Sequence, residues 1–446
     1  MPDTYVTLPR SSLARRLGGD MTTRQNTLAA PAVPEPNLTQ RELVARAEAL
    51  RPKLIERQAE TEALTFYPES THQDFLEAGF YRMLQPRRYG GYEFDVPTFV
   101  RVIMEISRGC TSTGWCVCLA SAHVLQISGL FEEQAQSDIF GDGEFRCAAF
   151  GGVVGDAKQV DGGWELTGTW PYASGIPYST HFLGQTFAPG ETPDGPPGPV
   201  MMFVAPGDQW KRNDDWGDSL GLKGSGSHSV RMDGAFIPDH LVIEASMLDV
   251  DVSKGTPGSR LHGNSMYAGR NLGFFHAEFA AIIVGAAKGA LDEYERIITS
   301  RKTTWPPKVL RAHHPDYQRH FGVALGRIAT AEAAAIQLAE QYMELCRRNA
   351  EEGIEFTAED DARLEAIGFN ACKLAWETLE GILFRTGGSS AARDGQVLQR
   401  YFRDAATYWS HNTPSQSDAL ARRLAMVHLG LPLELEFGGQ PPATGA

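Results

Sequence analysis

The stretch RDAATYWSHNTPSQSD, residues 403–418, puts an imidazole, His411, directly before Asn412-Thr413-Pro414 at the end of a long helical pattern, which the proline is expected to stop. A second imidazole, His123, closes the apolar run GCTSTGWCVCLASAH, and a hydroxyl, Ser174, precedes Gly175 in GTWPYASGI. Imidazole titrates near neutrality, so both histidines are candidates for taking up and returning a proton. Spacing alone equally allows His123 to be a core histidine bonded to a backbone carbonyl. It equally allows His411 to be a helix C-terminal histidine favoured by the helix dipole, an effect of roughly 0.3–1 kcal/mol. His276, His313 and His314 read as structural or surface groups.

The six cysteines lie mostly in apolar runs and read as reduced core thiols. Cys116-Val117-Cys118 on a helix would point its thiols to different faces, and no second Cys/His pair follows at zinc-site spacing, so no metal is expected. No G-x-G-x-x-G follows a strand, which argues against nicotinamide dinucleotide binding in the Rossmann manner.

These groups must be positioned by a sizeable fold. The chain has 446 residues, 42% of them hydrophobic, enough for two or three structural units. A net charge of −14 disfavours nucleic acid and anionic membrane as partners and leaves a small neutral or aromatic ligand. No run is read as reaching the roughly 18–20 apolar residues of a membrane span, and the start lacks a secretory core, so a cytoplasmic protein is expected.

Residues 1–37, with Arg10, Arg15, Arg16 and Arg24 among Ser, Thr, Pro and Ala, read as a flexible leader. Thr39-Gln40-Arg41-Glu42 is a capping-box pattern that opens an N-terminal helical domain, 38–143. Glycine density then rises and apolar runs shorten, predicting a central β-domain over 144–250 with a hairpin at Asp161-Gly162. From 265 to 435 three long patterns with apolar residues at i, i+3, i+4 and i+7, and a fourth over 396–411, predict a four-helix bundle. Residues 436–446 are read as a tail. The class is α+β and multi-domain.

That order resembles the acyl-CoA dehydrogenase superfamily over roughly residues 40–435. LGLKGSGSHSVRMDGAFIPDHLV is similar to its stretch of β-barrel or sandwich domain, and TGGSSAARDGQVLQRYFRDAATYWSH to its Gly-Gly and QR-x-x-RD bundle segment. In most dehydrogenases of this fold a glutamate base follows the RD pair; counted from Arg403-Asp404, that position is Asn412, and an amide is no base. His411, eight residues beyond Arg403, instead resembles the two-component, reduced-flavin-dependent monooxygenases of the superfamily, the group with the 4-hydroxyphenylacetate, chlorophenol and secosteroid hydroxylases. Two further matches are Trp115 with His123 eight residues on, and Trp170 leading to Ser174-Gly175.

The resemblance implies an oxygenase component that uses reduced flavin, FADH2 or FMNH2, and O2 through a C4a-hydroperoxyflavin to hydroxylate an aromatic or heteroaromatic substrate. It implies a separate NAD(P)H-dependent flavin reductase and a homotetramer. His123 becomes the base for a phenolic hydroxyl, Ser174 the partner of flavin N5, and His411 the stabiliser of the anionic reduced ring. Trp115, Trp170, Gly175, Lys223, Ser225, Ser227 and Arg403 become flavin contacts. Gly387, Gly388 and Ser389 would present backbone N–H groups to a flavin phosphate, in the superfamily often that of a neighbouring subunit, although the same residues also suit an interhelical turn. Acyl-CoA oxidation with a base elsewhere, N- or S-oxygenation, and a catalytically silent flavin-binding module are the alternatives.

Overall fold

The computed structural model describes residues 31–192 and 195–431. The expected tail and most of the expected leader lie outside them. Residues 31–37 are held on the helical region, with the Glu35 carboxylate receiving two hydrogen bonds from Arg46 (2.8 and 2.7 Å).

Among the described residues seven α-helices come first: α1 Gln40–Glu56, α2 Gln58–Leu64, α3 Glu69–Ala78, α4 Val96–Gly109, α5 Thr111–Ala122, α6 Val124–Leu130 and α7 Glu133–Phe140. The capping box is present: the Glu42 N–H donates to Thr39 Oγ1 and the Thr39 N–H to Glu42 Oε2. α1 buries Leu43, Ala47 and Leu54, one stripe at helical spacing. Asp95 caps α4 by accepting the Thr98 N–H (2.9 Å).

Eight strands follow: β1 Cys147–Val153, β2 Asp156–Val160, β3 Gly163–Trp170, β4 His181–Phe187, β5 Val200–Pro206, β6 Lys211–Arg212, β7 Val230–Pro238 and β8 Val242–Glu244. They make two four-stranded sheets, ordered β1-β4-β5-β8 and β2-β3-β7-β6. The hairpin at Asp161-Gly162 joins β2 to β3, with Gly162 at φ 75°. β7 alternates buried Val230, Met232, Ala235 and Ile237 with exposed neighbours, the pattern of a sheet wet on one face. β4 and β5 are buried over five consecutive residues each, because their sheet is covered on both faces.

The C-terminal helices are α8 Pro257–His262, α9 Leu272–Ser300, α10 Pro315–Arg347, α11 Ala358–Thr378, α12 Arg385–Gly387, α13 Val397–Trp409, α14 Asn412–Ser415 and α15 Ser417–His428. α9 is the axis: α10, α11 and α13 pack on it from the bundle, and α4 packs on it from the N-terminal side. Gly285 lets α4 approach, since a Cβ there would lie 2.4 Å from the Met104 carbonyl oxygen. Contrary to the sequence reading, Thr111–Leu130 and Leu272–Ser300 are long and apolar enough to cross a membrane. Most of their apolar surface is buried inside the protein, as in core helices.

Candidate active site

Trp115, on α5, meets the end of β3 at a turn where Gly175 has φ 86°. A Cβ on Gly175 would lie 2.6 Å from the Cys116 carbonyl oxygen, so only glycine lets strand end and helix approach this closely. The approach sets up a line of hydrogen bonds. The Trp115 indole N–H donates to Ser174 Oγ (2.9 Å), Ser174 Oγ lies 2.7 Å from Ser227 Oγ, and Ser227 Oγ lies 2.6 Å from Ser225 Oγ. Two of these hydroxyls can reverse their hydrogens together, so Ser174 can either give or take a hydrogen bond on its remaining side.

Phe279 of α9 faces the Trp115 ring at 5.6 Å and the His411 ring at 5.4 Å, and Trp115 and His411 are 5.9 Å apart. Phe275, one turn before Phe279 on α9, and Leu119, one turn after Trp115 on α5, are like Phe279 only partly buried although both are core helices. The expectation that Pro414 stops the preceding helix is corrected here. α13 already ends at Trp409, and Pro414 sits inside the first turn of α14, where its missing N–H costs nothing. The break is capped by the imidazole: His411 Nδ1 accepts the Thr413 N–H (3.3 Å). That bond needs an unprotonated Nδ1, which leaves the ring hydrogen on Nε2 as a donor. Burial pushes the His411 pKa down to about 4. The unfolded ring titrates near 6.5, so its contribution to stability is present at neutrality and lost as pH falls from there through about 4. Asn412, where superfamily dehydrogenases carry their glutamate, is exposed.

His123 terminates α5, eight residues and about 12 Å of helical rise beyond Trp115. It is not in contact with the Trp115–Ser174 line. Its Nδ1–H donates to the Cys147 carbonyl of β1 (2.8 Å), so the neutral ring carries its lone pair on Nε2, which makes no hydrogen bond among the described residues. Burial lowers its pKa, and hydrogen bonds to the Cys147 and Leu119 backbone partly offset this. The two histidines are thus held in opposite tautomers: His123 offers an acceptor and His411 a donor.

The loop carrying Lys223, Ser225 and Ser227 is seated on α13. Asp404 accepts the Leu222 N–H (2.6 Å) and the Ser112 hydroxyl (3.2 Å), holding Leu222 at φ 51°. Burial pushes the Asp404 carboxyl up to about 6. Arg403 spends its guanidinium on Glu62 (2.7 Å), the Leu220 carbonyl (2.9 Å) and Gln399 (3.0 Å), so it positions this loop and is not open to a ligand. At Gly221 a Cβ would lie 2.1 Å from the Arg403 carbonyl oxygen. Gly221→Ala should therefore unseat the loop and destabilise the protein by about 1–3 kcal/mol, as overpacking does. A thermal melt with an unshifted midpoint would refute this.

Five residues expected as flavin contacts are placed otherwise. Trp170 is fully buried between the sheets, with its indole N–H on the Gln185 carbonyl (3.1 Å) and its ring against Phe182 and Phe203, because β3 turns it inward. Ser225 is also fully buried and supports Ser227 from behind. Gly387, Gly388 and Ser389 sit before α13, whose 13 residues separate them from His411 by about 20 Å. Gly388, at φ 93° and ψ 156°, holds a conformation essentially confined to glycine. Arg311 donates to the Gly387 carbonyl (2.8 Å), and Arg301 reaches Ser390. The supports Glu62, Ser112 and Asp404 and the apolar pair Phe275 and Phe279 were missed from sequence; Phe275 and Phe279 at i, i+4 in FFHAEF were the available signal.

The chain matches the family described as acyl-CoA dehydrogenase, N-terminal domain, over residues 38–136, and acyl-CoA dehydrogenase, C-terminal domain, over 277–416. It is 31% identical over 371 residues to the flavin-dependent monooxygenase, oxygenase subunit HsaA, of Rhodococcus jostii, covering 81% of this chain and 91% of that one. It is 27% identical over 409 residues to the FADH(2)-dependent resorcinol hydroxylase, oxygenase component, of a Rhizobium species, covering 90% and 96%. The crystal structure of 3-HSA hydroxylase from Rhodococcus sp. RHA1 superposes with a TM-score of 0.78 at 27% identity, covering 88% and 98%.

Proposed function

From the premise that this chain belongs to the oxygenase components of two-component flavin-dependent monooxygenases, within the acyl-CoA dehydrogenase superfamily, we propose that its substrate is a phenolic ring bound between His123 and His411. The chain is the oxygenase component of a reduced-flavin-dependent system that hydroxylates aromatic substrates, with a flavin reductase as partner. The observation that carries the phenolic reading is the pair of opposed tautomers.

The cleft suits a reduced flavin: Ser174 retains hydrogen-bonding capacity beside the Trp115 ring, and Lys223 has no ion-pair partner among the described residues. A reduced flavin held there would supply the activation of O2 and the transfer of one oxygen atom to an electron-rich ring. In our reading Ser174, Gly175, Ser227 and Trp115 orient the ring system, and Lys223 meets its phosphate. His411 donates from Nε2 to charge that builds on the ring or the bound oxygen. His123 Nε2 takes the phenolic proton, which raises electron density at the carbon to be attacked. Phe275, Phe279 and Leu119 keep water out.

Gly387, Gly388 and Ser389, too far along α13 to join this cleft, would serve the flavin of a neighbouring subunit in a homotetramer. We place the enzyme in the cytoplasm.

The test mixes protein, reduced flavin and heavy-oxygen-labelled O2 with simple phenols. Labelled, hydroxylated product is expected. Anaerobic bleaching of oxidised flavin by an acyl-CoA, with no phenol hydroxylated, would overturn the proposal. Ser174→Ala should leave flavin bound but release more H2O2 per flavin oxidised, since one hydrogen bond of roughly 0.5–1.5 kcal/mol is removed. Unchanged coupling would make Ser174 a strand-end residue only.

A further inference from the structure

Beside Trp115 on α5, the Cys116 thiol is fully buried and adjoins the Tyr67 hydroxyl. From there hydroxyls run outward without a break. Tyr67 Oη lies 2.7 Å from Tyr81 Oη, and Tyr81 Oη lies 2.8 Å from His72 Nδ1. Tyr178 lies across them, stacked on His72 at 4.0 Å and on Tyr67 at 5.0 Å. The outer end is a small surface cleft of about 10 Å³ lined by Tyr81 with Arg82, Glu144 and Arg146. Arg146 caps the Tyr81 ring at 5.4 Å, and both arginines share the one carboxylate of Glu144, which leaves the cleft with a net positive charge.

Packing does not require this set. Phenylalanine would fill the same ring positions without the cost of burying hydroxyls. A phenol hydrogen-bonded to a neutral imidazole can lose its electron and its proton together, which makes it a far better one-electron donor than an isolated phenol. Burial, and then Arg146, keep the His72 pKa low, so its Nδ1 is free to accept.

We propose that Tyr67, Tyr81 and His72, joined to Trp115 through the α5 backbone at Cys116, form a proton-coupled relay that carries oxidising equivalents out of the active site to the Tyr81 cleft. The source of the oxidant rests on the oxygenase reading above; the relay itself does not. An oxygen-centred radical escaping the oxygen chemistry takes one electron from Trp115 and, with one proton, becomes a closed-shell product. Tyr67 returns an electron to the indole cation radical, its proton moves to the Tyr81 oxygen, and the Tyr81 proton moves to His72 Nδ1. A hydrogen atom then crosses from Tyr81 to Tyr67, leaving the radical on Tyr81. There a small anionic reductant such as ascorbate gives up one electron, His72 returns the proton, and all four side chains are restored.

An ultraviolet flash ionises indoles directly and needs no flavin. In the wild type the tryptophan radical is expected to convert to a tyrosyl radical, read by transient absorption and electron paramagnetic resonance, and to do so more slowly in D2O. The tyrosyl yield should fall several-fold in Tyr67→Phe, Tyr81→Phe and Trp115→Phe, each checked for native circular dichroism. A wild type with no solvent-isotope effect, or variants with the wild-type yield, overturn the relay. A second measurement runs reduced flavin and O2 without substrate, with catalase, superoxide dismutase and ascorbate present, and maps Trp115 oxidation by mass spectrometry. Faster Trp115 oxidation is expected in Tyr81→Phe, and equal rates would overturn the protective role. Flash transfer without any flavin reoxidation would leave the relay standing and remove the oxygenase reading instead.

Discussion

His123→Ala is expected to cut hydroxylated product by about 10²–10⁴-fold, the usual loss when a positioned proton acceptor is removed. Flavin oxidation should continue, with the missing product appearing as H2O2. The expectation follows from one bond: the Cys147 carbonyl holds the proton on Nδ1, and Nε2 is left as a lone pair without a partner among the described residues. Burial lowers the pKa, which favours the neutral ring as an acceptor. His123→Gln would keep a hydrogen bond to the carbonyl but remove the base, and should behave like the alanine variant. Coupling of product to flavin oxidation equal to the wild type in both variants would return His123 to a purely structural role.

His411→Ala should slow the oxygen reaction itself by about 10²–10³-fold, the scale seen when one preorganised donor to a developing charge is lost. His411→Asn, which can both cap Thr413 and donate, should recover part of that rate. The pH profile separates this role from a cationic one. With a pKa near 4, the ring is already neutral across the working range, so the rate should not show a histidine titration near 6.5. A rate that rises on acidification through 6.5 would mean that the imidazolium is the active form, and our assignment of the Nε2–H donor would fall.

A good part of this molecule was legible in one chain. The capping box of Thr39 and Glu42, the Asp161-Gly162 turn and the long apolar patterns of α9, α10 and α11 are local signals. Local signals are set by residue type and spacing over a few turns of chain. The replacement of a carboxylate by Asn412 beside His411 is likewise a fact of residue order.

Tertiary structure decided which candidates meet. Trp170 and Ser174 are four residues apart, yet the strand end sends one ring between the sheets and leaves the other side chain on Trp115. Arg403 looked free until Glu62, 341 residues away, was brought to it by the packing of α2 on the site loop. The helix break assigned to Pro414 belongs to His411, because a proline is tolerated in a first turn and an imidazole lone pair is not left idle beside a free N–H. The tautomers of His123 and His411 are invisible in sequence for the same reason. Each is set by backbone groups, and in His123 the leading one is the Cys147 carbonyl, which only the packing of β1 against α5 brings within 2.8 Å.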